Sequence, residues 1–272
     1  MQVFQPVLRL AHTMRGFASG KRDIAEETAI ALTYDGTTYA VMMASPADLE
    51  DFGIGFSLTE RVIGAVSEIE DLTIVEHGGG IEVQMRLTGD VGRDLTTRRR
   101  QMAGPVGCGL CGIDSIEQAL RAPVMVPQTG LALSAAEVTA AVGALSRGQV
   151  LNARTRAVHA AGFYRRDGGA LLVREDVGRH NALDKLIGAL ARAGLSGPDG
   201  ALVMTSRVSV EIVQKAAASG CGFILAVSAP TALAVRLAQM AGITLVAIVR
   251  GEDFEVFTHA DRIKVAEVSN VA

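Results

Sequence analysis

The second half of the chain alternates short apolar runs with helical patterns, and this alternation limits the possible folds more than any other feature. Short buried strands separated by helices are typical of βαβ units, in which helices cover a parallel sheet. The predicted elements are, in order, strand 170–175, helix 179–193, strand 201–205, helix 208–218, strand 223–227, helix 231–241, strand 244–249 and strand 255–258. We therefore expect an α/β fold with a largely parallel sheet here.

The first half of the chain has the pattern of a smaller β-rich unit. Two turn signals, Asp35-Gly36 and Gly78-Gly79-Gly80, each lie between β-rich runs and predict hairpins. The predicted elements are a strand at 3–10, a mobile loop at 16–22, hairpin strands at 28–34 and 37–44, a helix starting at Ser45-Pro46, and hairpin strands at 71–77 and 81–87.

A linker marked by Pro123 and Pro127 separates the two halves. It predicts a β-rich domain over 1–125 and an α/β domain over 126–272. Just after it, Ser134 and Glu137 form a capping box that opens a helix to about residue 146. A loop plus helix around His159 is predicted over 152–164.

Composition excludes several classes of protein. The 272 residues are 49% hydrophobic and carry a net charge of −3, so a general binder of nucleic acid or membrane surfaces, which needs a basic excess, is not indicated. No apolar run approaches about 18 residues, so no transmembrane helix is expected. The first ten residues lack the form of a signal peptide. A soluble cytoplasmic protein is the simplest interpretation.

Two of the three cysteines lie in Gly107-Cys108-Gly109-Leu110-Cys111-Gly112, shortly after Arg98, Arg99 and Arg100. A thiol reacts as the thiolate, and nearby positive charge lowers its pKa. The flanking glycines let another molecule approach the backbone closely. This pattern indicates an exposed, mobile and reactive loop.

Other roles for the cysteine pair are less well supported. A structural zinc site usually needs four ligands, and no second C-x-x-C is present, so no structural metal is expected. A thioredoxin-like redox site remains open as a weaker alternative, because the motif follows a polar loop instead of an early strand. A zinc deaminase would need H-x-E and P-C-x-x-C, and the chain has neither. The third cysteine, Cys221, is expected in the core.

Four loops are predicted at the carboxyl edge of the parallel sheet, where α/β proteins bind ligands. Three lead into helix starts, which suit anions, and together they carry four arginines, which suit phosphate. We therefore expect a phosphate-bearing ligand, contacted also by His159 and His180. A simpler alternative is that the arginines pair with Glu175, Asp176 and Glu252. The loops are 174–181, 206–209, 228–231 and 250–253, and the arginines are Arg174, Arg179, Arg207 and Arg250.

The run from Arg174 to Gly188, REDVGRHNALDKLIG, resembles the FdhD family, the accessory sulfur carriers of formate dehydrogenases. Cys108-Gly-Leu-Cys111-Gly upstream and Thr205-Ser206-Arg207 downstream extend the likeness, which spans nearly the whole chain. The resemblance implies a cytidine-deaminase-like α/β domain without zinc chemistry, and a homodimer.

The resemblance also implies an activity. The protein would take sulfur from a cysteine desulfurase and pass it to the molybdenum bis-(molybdopterin guanine dinucleotide) cofactor, bis-MGD, before insertion into formate dehydrogenase. Cys108 would carry the persulfide and Cys111 would assist. GDP should mimic the cofactor's nucleotide arms. The implied cofactor contacts, some from the edge loops and some from the family segment, are Arg179, His180, Ser206, Arg207, Ile248, Val249, Arg250, Gly251, Glu252 and Asp253.

The sequence departs from the family pattern at two places. Thr155-Arg156-Ala157 stands where the family usually has Thr-Gly-Gly, and Glu252 and Asp253 follow Arg250. The two carboxylates are interpreted as contacts to guanine N–H groups or as partners that orient Arg250. Two other functions stay open: a chaperone that delivers the cofactor without moving sulfur, and a dithiol oxidoreductase.

Overall fold

The computed structural model of the protein describes residues 1–89, 91–92, 123–165 and 171–264. The chain begins with a long antiparallel hairpin of β1 (Phe4–Thr13) and β2 (Gly16–Ala25). The prediction of a mobile loop at 16–22 was therefore wrong. Gly16, at φ +96°, makes the tight turn that returns the chain, and the polar composition that suggested a loop belongs to a strand exposed to solvent.

A four-stranded sheet follows, in the order β4-β3-β6-β5, and confirms both predicted hairpins. Helix α1 packs on its apolar face. The helix begins four residues after Ser45, following Asp48 in the left-handed region at φ 52°, because Ser45 is held in a buried network described below. The elements are β3 (Thr28–Tyr34), β4 (Thr37–Ala44), α1 (Leu49–Thr59), β5 (Ile69–His77) and β6 (Gly80–Leu87).

The remaining described residues form a six-stranded sheet covered by helices, with a short two-stranded pairing of β7 and β14 beside it. The elements are β7 (Leu133–Ser134), α2 (Ala135–Gly148), α3 (Val150–Thr155), β8 (His159–Arg165), β9 (Leu172–Asp176), α4 (Arg179–Arg192), β10 (Gly200–Met204), α5 (Val210–Ala218), β11 (Phe223–Ala226), α6 (Ala232–Ala241), β12 (Thr244–Arg250), β13 (Asp253–Val256) and β14 (Ile263–Lys264).

The six-stranded sheet is mixed, so the prediction of a largely parallel sheet was wrong. Its order is β13-β12-β11-β10-β8-β9, and only β10, β11 and β12 pair in parallel. The other three pairings are antiparallel. The links from β8 to β9 and from β12 to β13 are too short for the crossover that parallel neighbours require.

Two local predictions have different outcomes. The capping box is confirmed, because the Ser134 hydroxyl accepts from Glu137 N and the Glu137 side chain accepts from Ser134 N. The helix around His159 was wrong, since α3 ends at Thr155 and the residues from His159 onward form β8. The apolar run there packs on both sides as a central strand, where β pairing outweighs local helix propensity.

Helices cover both faces of the six-stranded sheet. One face packs against α4, α5 and α6, and the other against α2. Helix α1 joins the two parts of the chain, because it lies on the four-stranded sheet and crosses α4 at very short range. The boundary between residues 125 and 126 stays a prediction. In the part of the chain that the structure describes, no helix has the length and apolar character needed to cross a bilayer.

Candidate functional site

Strand direction brings the four predicted loops to one edge of the six-stranded sheet. Strands β10, β11 and β12 are parallel. Strand β8 is antiparallel to both β9 and β10, so β9 runs with the other three. The carboxyl ends of β9, β10, β11 and β12 therefore meet at one edge, which we call the carboxyl edge. His159 joins it as the first residue of β8, opposite Asp176.

Three of the four predicted arginines lie at this edge without a carboxylate partner. Among the described residues, no Asp or Glu oxygen lies within 4.0 Å of the guanidinium of Arg179, Arg207 or Arg250. Arg174 differs, because its Nη2 lies 2.7 Å from Asp51 of α1. The alternative that the edge arginines pair with Glu175, Asp176 and Glu252 is therefore wrong. Among the described residues, these three guanidinium groups are therefore not neutralised by a carboxylate.

Arg179 is the first residue of α4, and its buried Nε atom has no hydrogen-bond partner among the described groups. Burial, reinforced by the Arg179 charge, lowers the pKa of His180 to about 4. The same two causes lower the pKa of His159. Both imidazoles are then neutral at pH 7. Arg179 is thus a permanent cation, and the neutral rings of His159 and His180 near it can donate or accept hydrogen bonds.

The helix starts at this edge differ in how they are capped. The Thr231 hydroxyl accepts from Ala234 N and caps α6. Gly178 has no side chain to cap α4, and the Ser209 hydroxyl at the start of α5 donates instead to Glu211, at 2.6 Å. His180 Nε2 lies 3.4 Å from that hydroxyl. The first N–H groups of α4 thus lack a side-chain acceptor and favour an anion, whereas in the first turn of α5 the Glu211 carboxylate accepts from its own backbone N–H.

The predicted segment 248–253 is a bulge followed by a tight turn. The register shifts between Ala247 and Arg250, with Ile248 at φ 57° and Gly251 at φ 62°. Arg250, Gly251, Glu252 and Asp253 are exposed at the turn, whereas the Val249 side chain is buried in the core. A left-handed conformation costs a β-branched residue on the order of 1–3 kcal/mol. No sequence signal marked this strain at Ile248.

The loop after β10 offers one exposed candidate and one buried one. Ser206 is buried, and its hydroxyl donates to the carbonyl of Arg207 at 3.1 Å. Arg207 is exposed. A bridge between Val208 and Pro230 ties this loop to the one after β11. Arg207 is therefore the residue of this loop whose side chain is free to reach a ligand.

Much of the 174–188 run is structural, which the sequence did not reveal. Buried Asp176 accepts hydrogen bonds from Ser45 N, Gly178 N and Asn181, and it pairs with buried Lys185 at 2.6 Å. Lys185 also donates to the carbonyl of Ser45. This network, which we call the junction network, fixes the end of β9 and the start of α4 against the four-stranded sheet.

A second buried pair lies deeper along α4. Lys215 of α5 lies 2.9 Å from Asp184 and 2.8 Å from Glu60. Burial alone would lower the pKa of Lys215, but the two carboxylates raise it. Glu175 is structural too, because it accepts from Leu151 N and Asn152 N and caps α3.

Cys108 and Cys111 lie outside the described residues. The flanking residues Val91 and Val124 line a cavity of about 580 Å³ with Leu190, Ala191 and Gly197. Leu190 and Ala191 belong to the last turn of α4 and Gly197 precedes β10, so the residues that flank the cysteine segment lie at the edge opposite the carboxyl edge. Cys221 is confirmed as a core residue, and burial raises the pKa of its thiol to about 11.

The fold and the carboxyl edge define an α/β protein suited to an anionic ligand at the ends of its parallel strands. Residues 25–264 match the FdhD/NarQ family model, and the chain belongs to this family. It is 57% identical over 246 residues to the sulfur carrier protein FdhD of Agrobacterium fabrum, covering 90% of this chain and 91% of that protein. The corresponding protein of Brucella abortus is 54% identical over 262 residues, with 96% and 97% covered.

A solved structure has the same overall fold. It is described as a candidate formate dehydrogenase accessory protein from Desulfotalea psychrophila. It superposes with a TM-score of 0.76 at 26% identity, covering 97% of this chain and all of that one.

Proposed function

We propose that this protein is a sulfur carrier for formate dehydrogenase. In this proposal it takes sulfur from a cysteine desulfurase and transfers it, in the cytoplasm, to bis-MGD before that cofactor enters the enzyme. The names of its relatives support the carrier role. The proposal includes the resemblance's assignment of the α/β part to a cytidine-deaminase-like fold.

One observation carries the ligand half of the proposal: three edge arginines have no carboxylate partner in the described structure. A bis-MGD molecule carries diphosphate groups, and arginine binds phosphate in a planar, bidentate manner. Arg179, at the uncapped start of α4, is the expected phosphate contact. Arg250 and Arg207, both exposed, are expected to hold the nucleotide arms, with Glu252 or Asp253 accepting from guanine N–H groups.

The cysteine pair is proposed to carry sulfur as a persulfide. The Cys108 thiolate attacks the terminal sulfur of the desulfurase persulfide, so that one S–S bond breaks as another forms and the desulfurase thiolate leaves. Release as sulfide needs two electrons. Once the cofactor is bound, attack of the Cys111 thiolate on the inner, Cys108 sulfur would supply them: a Cys108–Cys111 disulfide forms, the S–S bond of the persulfide breaks, and the expelled hydrosulfide goes to the cofactor. A cellular thiol then reduces this disulfide.

The segment that carries Cys108 is long enough to span the distance between the two edges of the six-stranded sheet. Helix α4 has 14 residues and separates the two edges by about 20 Å. Cys108 lies about 15 residues from either described flank, and a chain of that length spans up to about 50 Å when extended. Chain length therefore permits Cys108 to reach the carboxyl edge.

Mass spectrometry after incubation with a cysteine desulfurase and cysteine tests the transfer. We expect an adduct of about 32 Da on Cys108 of the wild type. Cys108→Ala should lose it, and Cys221→Ala should keep it as the matched control. If GDP binds but no adduct forms on the wild type, the cofactor chaperone is the better function.

A cellular assay tests the same residue in its biological setting. Cys108→Ala should fail to restore formate dehydrogenase activity in a strain that lacks the protein. Full activity with this variant would rule out the carrier role. The oxidoreductase would be favoured if the protein oxidised a dithiol substrate, if this reaction required both Cys108 and Cys111, and if added nucleotide did not change its rate.

A further inference from the structure

The two ring nitrogens of His180, the second residue of α4, have different surroundings. Nε2 lies 3.4 Å from the Ser209 hydroxyl oxygen and 3.7 Å from Oε2 of Glu211, both at the start of α5. The Ser209 hydroxyl lies 2.6 Å from that same Glu211 oxygen. Among the described residues Nδ1 makes no hydrogen bond, and 22% of the His180 side chain is exposed.

The Ser209 hydroxyl has a single proton, and the Glu211 carboxylate accepts it. Burial alone would raise the pKa of Glu211, but hydrogen bonds from Ser209 and from its own backbone N–H lower it. The carboxylate is therefore ionised at pH 7 and can only accept. A separation of 2.6 Å is typical of a hydroxyl that donates to a carboxylate. Ser209 then presents an oxygen, without a free proton, to His180.

This arrangement sets which nitrogen of His180 carries the proton. The ring is neutral at pH 7, because burial and the Arg179 charge lower its pKa to about 4. A neutral imidazole has one N–H and one nitrogen that accepts. A bare Nε2 would face the lone pairs of two oxygens, whereas a protonated Nε2 can donate to Ser209. The remaining nitrogen, Nδ1, is then the acceptor.

We propose that Ser209 and Glu211 are positioning residues that keep the His180 proton on Nε2, so that Nδ1 accepts a hydrogen bond from the nucleoside part of the ligand. The cofactor's diphosphate is ionised at pH 7 and has no proton to donate to Nδ1. The donor is therefore a ribose hydroxyl or a guanine N–H group. This inference rests on the proposed function, because it concerns the same nucleotide site.

The position of His180 in the chain fits a contact to the nucleoside. Arg179, the expected phosphate contact at the start of α4, is the preceding residue, and the two Cα atoms are about 3.8 Å apart. A phosphate bound by Arg179 therefore brings the attached ribose or base near His180. The two neighbouring side chains thus divide the ligand between them, with the cation at the phosphate and the acceptor at a neutral donor.

Nitrogen-15 NMR of the ligand-free protein, labelled at histidine, tests the tautomer. Long-range couplings between protons and nitrogens show which ring nitrogen is protonated, and His180→Phe identifies the signals. We expect Nε2 to carry the proton in the wild type at pH 7. Glu211→Ala frees the Ser209 hydroxyl to donate to Nε2, so the fraction of rings protonated at Nδ1 should rise at least about fivefold. Adding Ser209→Ala removes this donor, and the rise should disappear.

Ser146→Ala is the matched control for loss of a serine hydroxyl. Ser146 donates to the carbonyl of Val142 within α2, on the other face of the sheet, and its loss should leave the His180 signals unchanged. A wild type protonated at Nδ1, or a Glu211→Ala variant with the wild-type tautomer, overturns the positioning role. No ligand is present in this measurement, so its result does not depend on the proposed function.

Calorimetry of GDP binding tests the contact to the ligand. His180→Phe should weaken binding about tenfold, the loss of one hydrogen bond. His180→Asn should recover most of this loss, because its side-chain oxygen can take the place of Nδ1. Glu211→Ala should also weaken binding, since it moves the proton to Nδ1, and adding Ser209→Ala should restore it. Ser146→Ala should bind GDP as the wild type does.

Two analogues identify the donor. The ribose hydroxyls are missing from 2′,3′-dideoxy-GDP, and the guanine N–H groups are missing from the diphosphate of purine riboside. The analogue that lacks the donor should bind equally well to the wild type and to His180→Phe. No loss of GDP binding in His180→Phe, or the same loss with GDP and with both analogues, overturns the contact. A wild type that does not bind GDP would instead overturn the proposed nucleotide site, and this contact with it.

Discussion

At the scale of single residues, two glycines decide how closely α1 approaches α4. A Cβ atom on Gly55 would lie 1.7 Å from the carbonyl oxygen of Asp184, and one on Gly188 would lie 1.9 Å from that of Asp51. Both obstacles are backbone atoms, which cannot move aside as a flexible side chain can. Each glycine is therefore required because only a residue without a Cβ atom lets the other helix pack at this distance.

We expect Gly55→Ala to lower the free energy of unfolding by about 3 kcal/mol or more, because the two helices must part. Urea denaturation measures this. Gly143→Ala in α2 is the control, since its new methyl would meet only the flexible Arg147 side chain. That change should be neutral or stabilise by about 0.5–1 kcal/mol. Equal effects of the two substitutions would contradict the close crossing.

His180 makes stability depend on pH. Its pKa is about 4 in the folded protein and about 6.5 in the unfolded chain. The unfolded chain therefore binds more protons between these values, so stability is full above about pH 6.5 and falls as the pH is lowered towards 4. His180→Gln should reduce the slope of unfolding free energy against pH in this window, by up to about 3 kcal/mol in total. Parallel curves for the two proteins would show that His180 is not buried as described.

At the scale of elements, α4 connects the candidate site to the rest of the molecule. Its first two residues, Arg179 and His180, lie at the carboxyl edge, and the residues that follow, Asn181, Asp184 and Lys185, make buried polar contacts. The position of the site residues therefore depends on the junction network. A change in that network is expected to move Arg179.

We predict that Lys185→Met destabilises the protein by about 3–5 kcal/mol, because Asp176 loses its buried cation. The double variant Asp176→Asn, Lys185→Met should recover part of this loss, since no uncompensated charge remains. Arg86→Met removes an exposed ion pair with Glu70 and should cost less than about 1 kcal/mol. Denaturation curves for the three variants measure these differences. A Lys185→Met cost as small as that of Arg86→Met would refute the role of the network.

At the scale of the whole molecule, the proposed function assigns nucleotide contacts and sulfur chemistry to different places. The arginines lie at the carboxyl edge, and the cysteine segment joins the structure near Val91 and Val124 at the opposite edge. If the proposed function holds, the two activities should be separable by substitution.

We expect Arg250→Ala and Arg207→Ala each to weaken GDP binding about tenfold, the loss of one charge-assisted hydrogen bond. Both variants should still accept sulfur on Cys108. Cys108→Ala should show the opposite pattern. Calorimetry of GDP binding and mass spectrometry of the thiol measure the two activities, with Arg86→Ala as the control for charge alone. Loss of GDP binding in Cys108→Ala would mean that the two places are one site.

The sequence predicted local structure where local chemistry is decisive. Asp35-Gly36 and the capping box at Ser134 specify a hairpin and a helix start by contacts within a few residues. Strand β8 was missed because its apolar run fits a helix or a strand, and only pairing with β9 and β10 decides between them. In the first hairpin, β1 was predicted over 3–10, but its partner β2 was missed because an exposed strand lacks the apolar alternation that marks a half-buried one.

For the candidate site, residue types were predictable and partners were not. Arg174 and Arg179 look alike in sequence, yet one is paired with Asp51 and the other has no carboxylate partner in the described structure. The difference arises because α1, more than 100 residues earlier in the chain, lies beside Arg174.

The sequence by itself determined the alternation of strands and helices, the presence of a C-x-x-C motif and the loops that carry arginine, since all of these depend on residue type and spacing. Only the tertiary structure decided which strands are parallel, which charges of the 174–188 run are buried, and which arginines have a carboxylate partner among the described residues. These outcomes depend on contacts between residues far apart in the chain. Burial and pairing of a charge are properties of its surroundings, which spacing along the chain does not specify.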